Sequence, residues 1–134
     1  MNRLAGTLVE RESNGAVTRV TVNLGSAIIT AVLVEAGEPT PEIDSRVTVV
    51  FKESETALAS GSLQHKLSIR NRLSCTITAI EDDGILFRVG LDFCGQSLGA
   101  LITSESGRDL GLAIGSAVDA LIKSTEVMVE AEKA

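Results

Sequence analysis

The chain has 134 residues, 44% of them hydrophobic, and a formal net charge of −6. A field of that sign repels nucleic acid and anionic membranes, so any anion site must be built locally from a few cations and backbone N–H groups. No stretch approaches the roughly 18 apolar residues that span a bilayer. The charged residues soon after Met1 do not have the form of a signal peptide. We therefore expect a cytoplasmic protein without membrane insertion.

The sequence contains an internal duplication. Asn2-Arg3-Leu4 recurs as Asn71-Arg72-Leu73, 69 positions later, and the alignment continues without a gap to Val34 and Thr103. After a two-residue length difference, Lys52 aligns with Lys123. One copy of about 65 residues is near the lower limit for an independent core, whereas two copies reach an ordinary domain size. We assign the first copy to residues 1–62 and the second to residues 63–134.

The first copy opens with a predicted β-hairpin around Asn14-Gly15, because apolar residues alternate with polar ones on both sides of this turn. The alternating residues are Leu4, Gly6 and Leu8 before the turn, and Val20, Val22 and Leu24 after it. Further strands are predicted over residues 28–34 and 47–52. Two prolines in segment 38–41 argue against a regular helix there.

The second copy repeats the hairpin around Asp83-Gly84. Its alternating residues are Leu73, Cys75, Ile77 and Ala79 before the turn, and Ile85, Phe87, Val89, Leu91 and Phe93 after it. Strands are also predicted over residues 98–102 and 118–123. A short helix is expected from about residue 105 to 110, with Thr103 or Ser104 as its cap and Gly111 at its end.

Five short strands per copy predict an all-β protein of two tandem OB-like Greek-key barrels, with one short helix in the second copy. Residues 60–66 form the linker in this scheme, and the charged tail Glu130–Ala134 is expected to be frayed. Cys75 and Cys94 lie in apolar runs and are interpreted as buried reduced thiols, with a disulfide left as an alternative. Three pairs are retained in both copies, which predicts a structural role such as tying the strand start to a neighbouring carbonyl: Asn2 and Asn71, Arg3 and Arg72, and Arg19 and Arg88.

Three segments of the second copy together contain the groups that bind a tetrahedral oxyanion. Residues 68–71 and 122–124 supply cations and hydroxyls at the ends of strands, and residues 103–107 open the predicted helix. A helix N-terminus offers unpaired N–H donors, and Arg and Lys supply charge-assisted hydrogen bonds. No metal-ligand cluster and no general base accompany them in the sequence, so the pattern indicates binding and not catalysis.

These segments resemble the Mop or TOBE domain family, whose members include molbindins and parts of molybdate importer ATPases and molybdate-responsive regulators. The resemblance rests on Ser68-Ile69-Arg70-Asn71-Arg72-Leu73, the turn at Asp83-Gly84, Ala100-Leu101-Ile102-Thr103 with Ser106, and Ala120-Leu121-Ile122-Lys123-Ser124. The first copy matches more loosely, best over Val49–Glu55. A tandem pair is similar to the di-domain molbindins.

The resemblance implies that molybdate or tungstate binds at interfaces between barrels. It carries the oxyanion contacts over to Ser68, the Ile69 backbone, Arg70, Thr103, Ser106, Lys123 and Ser124, with no direct metal ligand and no catalytic residue. In the first copy, Met1 stands in place of Arg70, Val34 replaces Thr103 and Glu53 replaces Ser124. The first copy is therefore interpreted as scaffold, with Lys52 as its candidate contribution to a shared pocket.

We expect a non-enzymatic protein that binds molybdate or tungstate for storage, buffering or delivery, as a homo-oligomer such as a trimer or dimer. An alternative is an oxyanion-sensing part of an importer ATPase or a transcription regulator, with contact to the ATPase. A single-stranded nucleic-acid binder is a weaker alternative, because aromatic residues make up only 2% of the chain and the net charge is negative. An enzyme is the least favoured class, since the sequence shows no nucleophile–base pair.

Overall fold

The computed structural model describes residues 1–34, 40–61 and 67–132. The first half contributes strands β1 (Asn2–Asn14), β2 (Val17–Asn23), β3 (Ile28–Val34), β4 (Arg46–Phe51) and β5 (Ala57–Ala59). The second half contributes β6 (Asn71–Asp82), β7 (Leu86–Phe93), β8 (Gln96–Thr103), helix α1 (Ser104–Asp109), β9 (Ala117–Ile122) and β10 (Met128–Ala131). Single 3₁₀ turns at Glu53–Glu55 and Ser124–Glu126 follow β4 and β9.

The strands form two five-stranded antiparallel sheets with orders β10-β4-β1-β2-β3 and β5-β9-β6-β7-β8. In each sheet, four strands have the 4-1-2-3 order of a Greek key, counted from the first strand of that half. The predicted class is confirmed: the protein is all-β, with two OB-like half-barrels and one short helix in the second half.

The two halves exchange their last strands. β10 comes from the C-terminal end of the chain but pairs with β4, with Met128 opposite Val50. Conversely, β5 pairs with β9, with Ala57 opposite Leu121. Each sheet is therefore completed by a strand from the other half. The proposed boundary between residues 62 and 63, with linker residues 62–66, lies outside the described residues, as do residues 35–39 of the proline-containing segment.

The two sheets share one hydrophobic core, since the buried cluster draws on both halves. The predicted inward residues Leu4, Leu8, Val20 and Val22 of the first hairpin are all fully buried. In the second hairpin the prediction was wrong for Ala79, which is exposed after a register shift in β6, and for Ile85, which is 78% exposed. The Asp83 carboxylate accepts hydrogen bonds from the N–H groups of Ile85 (2.9 Å) and Leu86 (2.8 Å), so this residue lies in the turn and β7 begins after it.

The expected frayed tail was also wrong in its first part. Residues 128–131 form β10, the Glu130 carboxylate accepts from Arg3 at 2.8 Å, and Glu132 accepts from Arg46 at 3.3 Å. Residues 133–134 lie outside the described part of the chain. Residues 128–131 are held in place because β10 pairs with the free edge of β4.

The two cysteines differ in environment, contrary to the prediction that both are buried. Cys75 is buried, whereas Cys94 is exposed in the turn between β7 and β8. Cys94 has a positive φ of 48°, which fits a turn and not the interior of a strand. Both thiols are free, so the disulfide alternative is not supported.

Asn2 and Asn71 bind the two halves together in equivalent ways. The Asn71 side chain accepts from the Thr30 N–H and donates to the Thr30 carbonyl, both at 2.8 Å. The Asn2 side chain makes the same pair of bonds with the Gly99 N–H and carbonyl, again at 2.8 Å. Both asparagines are almost completely buried. The predicted structural role is confirmed, and the carbonyl in each case belongs to the opposite half.

Candidate functional site

Arg70 and Lys123 directly adjoin the last residue pair between β6 and β9, at the end of the second sheet. The ladder between β6 and β9 ends with Asn71 opposite Ile122, and the next residue on each strand is one of these two cations. Asn71 and Ile122 point inward and are buried, so alternation turns Arg70 and Lys123 to the outer face, where both are exposed. Both cations directly adjoin this last residue pair, so they leave the sheet at the same end.

Most of the other cations already have a carboxylate partner. Within the described ranges, five arginines form ion pairs: Arg3 with Glu130, Arg19 with Glu12, Arg46 with Glu132, Arg88 with Glu53 and Arg108 with Asp82. Arg11 donates to the carbonyls of Thr40 and Pro41. The lysines and arginines with neither a carboxylate nor a carbonyl partner in the described part are Lys52, Arg70, Arg72 and Lys123. Three of these four were predicted from the sequence as oxyanion contacts.

Arg72 was predicted from the sequence to have a structural role and not to contact the oxyanion. Its equivalent in the first half, Arg3, is paired with Glu130 at 2.8 Å. In the second sheet, the exchanged strand β5 carries Ala59 at the corresponding place, so no carboxylate faces Arg72 from that strand. Arg72 is two residues from Arg70 on the same face of β6, and it adds a third positive charge to this end of the sheet.

Lys123 and Ile69 line a groove of about 320 Å³ together with residues 54–57 from the first half. The first half reaches this groove because β5 pairs with β9. Glu55, from the 3₁₀ turn before β5, lines the same groove as Lys123. No ion pair within 4 Å joins these two side chains among the described residues, so the ammonium group remains available to another anion.

Thr103 and Ser106 are joined at the start of α1. The Thr103 hydroxyl accepts from the Ser106 N–H at 3.1 Å and donates to the Ser106 hydroxyl at 2.9 Å, so Thr103 is the N-cap. Helix α1 has the predicted position, and Gly111 after it has a positive φ of 62°, as its role at the helix end requires. Both hydroxyls are exposed, and the Ser106 hydrogen is left free to donate.

Ser104 has a different role from the one expected of a possible cap. It is buried, its N–H donates to the Ile85 carbonyl at 2.8 Å, and its hydroxyl donates to the Asp82 carboxylate at 2.6 Å. This hydrogen bond, with the Gly84 N–H and the nearby Arg108, lowers the pKa of Asp82. The helix start therefore already faces an ionised carboxylate. With two of its N–H groups in use, it supplies fewer free amide donors than the sequence indicated.

The remaining predicted residues lie at separate points. Ser68 is exposed just before β6, and Ser124 follows Lys123 at the start of its 3₁₀ turn, where its hydroxyl lies 2.8 Å from the Thr30 hydroxyl. Lys52 is exposed at the end of β4, opposite the position of Met1 in the ladder with β1. The structure thus groups Ile69, Arg70 and Lys123 together. No hydrogen bond in the described part of the chain joins this group to Thr103 and Ser106.

Comparisons with known proteins identify the sequence family. One TOBE domain profile matches residues 67–129 and a second matches residues 1–58. The molybdenum import ATP-binding protein ModC of Brucella abortus (strain 2308) is 48% identical over 62 residues, which cover 46% of this chain and 17% of that protein. The molybdenum-pterin-binding protein MopA of Rhodobacter capsulatus is 42% identical over 71 residues, which cover 52% of this chain and 27% of that protein.

Among solved structures, the fold is similar to that of the cytoplasmic molybdate-binding protein ModG, determined with molybdate bound. The TM-score is 0.86 at 25% sequence identity, and the match covers 98% of this chain and 96% of that chain. The likeness extends over both half-barrels. Among the residues the structure describes, no helix has both the length and the apolar character needed to cross a membrane. The duplicated sequence, the paired half-barrels and the two profile matches place this chain in the TOBE domain family, with one TOBE domain in each half.

Proposed function

We propose that this protein binds molybdate or tungstate at the end of the second sheet, where Arg70 and Lys123 leave the ladder together. The observation that carries the proposal is this pair of like charges on neighbouring strands, without a carboxylate partner in the described part of the chain. Like charges placed opposite each other destabilise a sheet. A bound dianion removes that repulsion and gains two charge-assisted interactions.

The local charge is enough to overcome the acidic background. The whole chain carries −6, but that charge is spread over the surface and is screened by salt beyond about 8 Å at physiological ionic strength. Within that distance the anion meets Arg70 and Lys123, with Arg72 nearby. Two unit charges at 4 Å attract by about 4 kcal/mol at an effective dielectric constant of 20, before the cost of removing water. The hydroxyls of Ser68 and Ser124 and the Ile69 N–H are the proposed neutral donors around the ion.

Two relatives support the choice of ion. ModG, whose fold matches both halves, is described as a molybdate-binding protein of the cytoplasm, and MopA is described as molybdenum-pterin-binding. We therefore favour molybdate or tungstate over other oxyanions, and a cytoplasmic location. The groups around the proposed ion are cations and hydroxyls, which hold an anion without transferring a proton. The proposed role is accordingly storage, buffering or delivery of the oxyanion, and not catalysis.

We further propose that the site is completed between copies of the chain. The exposed hydroxyls of Thr103 and Ser106 are not bonded to the group around Arg70, although both residues match the family pattern. A second copy that presents its helix start to Arg70 and Lys123 would complete the set of groups around the bound oxyanion. A symmetric trimer or dimer repeats that contact without leaving open ends. Molybdate would then stabilise the oligomer by mass action.

A second candidate role follows from the likeness to ModC, an import ATP-binding protein that matches over 46% of this chain. In that role the oxyanion would change the association of this protein with an importer ATPase. The likeness to ModG spans both halves, whereas the matched segment of ModC spans one, so storage or delivery remains the first choice.

Titration calorimetry with molybdate and native mass spectrometry test the proposal together. Calorimetry should show saturable molybdate binding, with sulfate as the control anion of equal charge. Native spectra should show an oligomer that retains molybdate and that dissociates more readily without it. Absence of saturable binding at millimolar molybdate would overturn the proposal.

A further inference from the structure

Thr30, in the first half, makes hydrogen bonds to two residues at the proposed site of the second half. Its N–H and carbonyl are both bonded to the Asn71 side chain at 2.8 Å. Its hydroxyl oxygen lies 2.8 Å from the Ser124 hydroxyl oxygen and 3.3 Å from the Asn71 side-chain oxygen. Asn71 precedes Arg72 and follows Arg70, and Ser124 follows Lys123. One residue of the opposite half therefore contacts both strand ends that carry the cations.

The duplicate provides a comparison within the same molecule. In the first sheet, Asn2 makes the same pair of backbone hydrogen bonds, but to Gly99, which has no hydroxyl. The residue equivalent to Ser124 is Glu53, whose carboxylate is paired with Arg88 at 2.8 Å. The hydroxyl contact is therefore absent from the end where Met1 stands in place of Arg70. It is present at the end that has both cations.

The direction of the hydroxyl contact determines what Ser124 can offer an anion. Each hydroxyl has one hydrogen to donate. If Ser124 donates to Thr30, its hydrogen is used within the protein and only lone pairs face the site. If Thr30 donates to Ser124, the Ser124 hydrogen is free to bond an oxyanion. The Thr30 hydroxyl oxygen is 3.3 Å from the Asn71 side-chain oxygen but 2.8 Å from the Ser124 hydroxyl oxygen, so Ser124 is the nearer acceptor for the Thr30 hydrogen.

We propose that Thr30 is a positioning residue for the oxyanion site: its hydroxyl donates to Ser124 and turns the Ser124 hydrogen toward the bound ion. The inference rests on the proposed function and adds a residue of the first half to the site of the second. Thr30 does not touch the ion. It acts through Ser124, and its backbone, through Asn71, fixes the strand end that carries Arg70.

The test is molybdate titration of the full chain carrying Thr30→Val, which keeps the shape and the backbone bonds to Asn71 but removes the hydroxyl. Molybdate affinity should fall about fivefold to tenfold, the net value of one hydrogen bond. Thr30→Ser restores the hydroxyl and should restore affinity. Thr18→Val is the matched control, because it removes a hydroxyl pair of 2.9 Å with Ser13, in the β1–β2 hairpin. It should leave affinity unchanged.

A double-mutant cycle separates positioning from a general structural effect. Ser124→Ala should weaken binding, and in that background Thr30→Val should have no further effect, because the group through which it acts has been removed. Thermal unfolding of each variant shows whether the fold is retained.

Three results would overturn the inference when the wild-type protein binds molybdate. The first is unchanged molybdate affinity in Thr30→Val, and the second is unchanged affinity in Ser124→Ala. The third is a loss of affinity from Thr30→Val that is equally large in the wild-type and Ser124→Ala backgrounds. Failure of the wild-type protein to bind molybdate would overturn the proposed function and this inference together.

Discussion

Glu53 occupies the space that Gly99 leaves open across the interface between the halves. A Cβ atom built on Gly99 would lie 2.5 Å from the Glu53 carboxyl carbon, closer than real Cβ contacts permit. The carboxylate is held there by Arg88, with Nε and one terminal nitrogen at 2.8 and 3.3 Å from its two oxygens. In the other half the equivalent positions carry Thr30 and Ser124. The duplicated interface thus has a small residue opposite a large one in one case and two medium-sized residues in the other.

Gly99→Ala should destabilise the protein because the added methyl group displaces Glu53 from Arg88. We expect a loss of about 1–3 kcal/mol in the free energy of unfolding, measured by urea denaturation. Glu53→Ala alone should cost under about 1 kcal/mol, since it breaks an ion pair at the surface. The double variant should be more stable than the sum of the two losses predicts, because the clash is then absent. Additive losses would contradict this account of Gly99.

Arg70→Ala and Lys123→Ala should each weaken molybdate binding at least tenfold, or about 1.4 kcal/mol, measured by calorimetry. The physical reason is that each removes one of the two charges that neutralise the dianion. Arg19→Ala is a suitable control, because Arg19 is paired with Glu12 at 2.8 Å in the first half. Unchanged affinity in both site variants would remove the assignment. A loss of equal size from Lys52→Ala would show that this lysine of the first half also contacts the bound oxyanion.

Asn2→Ala and Asn71→Ala should cost similar amounts of stability, about 1–3 kcal/mol each. Each leaves a buried backbone N–H and carbonyl of the opposite half without a partner. Asn23→Ala is the comparison, because its side chain accepts from the Gly25 N–H at an exposed turn, and it should change stability by no more than about 0.5 kcal/mol. Urea denaturation of the three variants provides the measurement. If Asn71→Ala cost as little stability as Asn23→Ala, the role of Asn71 in holding the two halves together would be contradicted.

The two thiols should react at very different rates with a thiol reagent at neutral pH. Burial raises the pKa of Cys75 to about 11, so its reactive thiolate is scarce as well as inaccessible. Cys94 is exposed. We expect one fast-reacting thiol in the native protein and two after unfolding. Cys94→Ser should abolish the fast phase, and Cys75→Ser should leave it intact. Two fast thiols in the native state would show that the second half opens readily.

The hairpins could be predicted because each contains period-two alternation around an Asn-Gly or Asp-Gly turn. The turn type then determines how the two strands pair. Two of the errors occurred where a single turn redirected the chain. The Asp83 side chain holds Ile85 outside β7, and the positive φ of Cys94 exposes a residue that the apolar run suggested was buried. Neither effect is visible in a pattern of hydrophobic residues.

The exchange of strands could not be predicted from the sequence. Strand β5 has only three residues, and after a duplication both halves offer it a similar edge. Local pattern carries no information about which edge is chosen. Thr30 was missed for a different reason, because it lies outside the segments that carry the family resemblance. The substitution of Thr30 by Gly99 between the aligned copies was the available signal, since a hydroxyl facing the partner half was present in one copy only.

The exchanged strands also bear on how the chain reaches its native state. The first sheet is not complete until residues 128–131 have been synthesised, long after its other four strands have left the ribosome. Until then β4 has an open edge as the polypeptide leaves the ribosome, and open edges invite pairing with other chains. Contacts so distant along the sequence also slow folding. Chaperones that shield strand edges would therefore protect a nascent chain of this kind from such pairing.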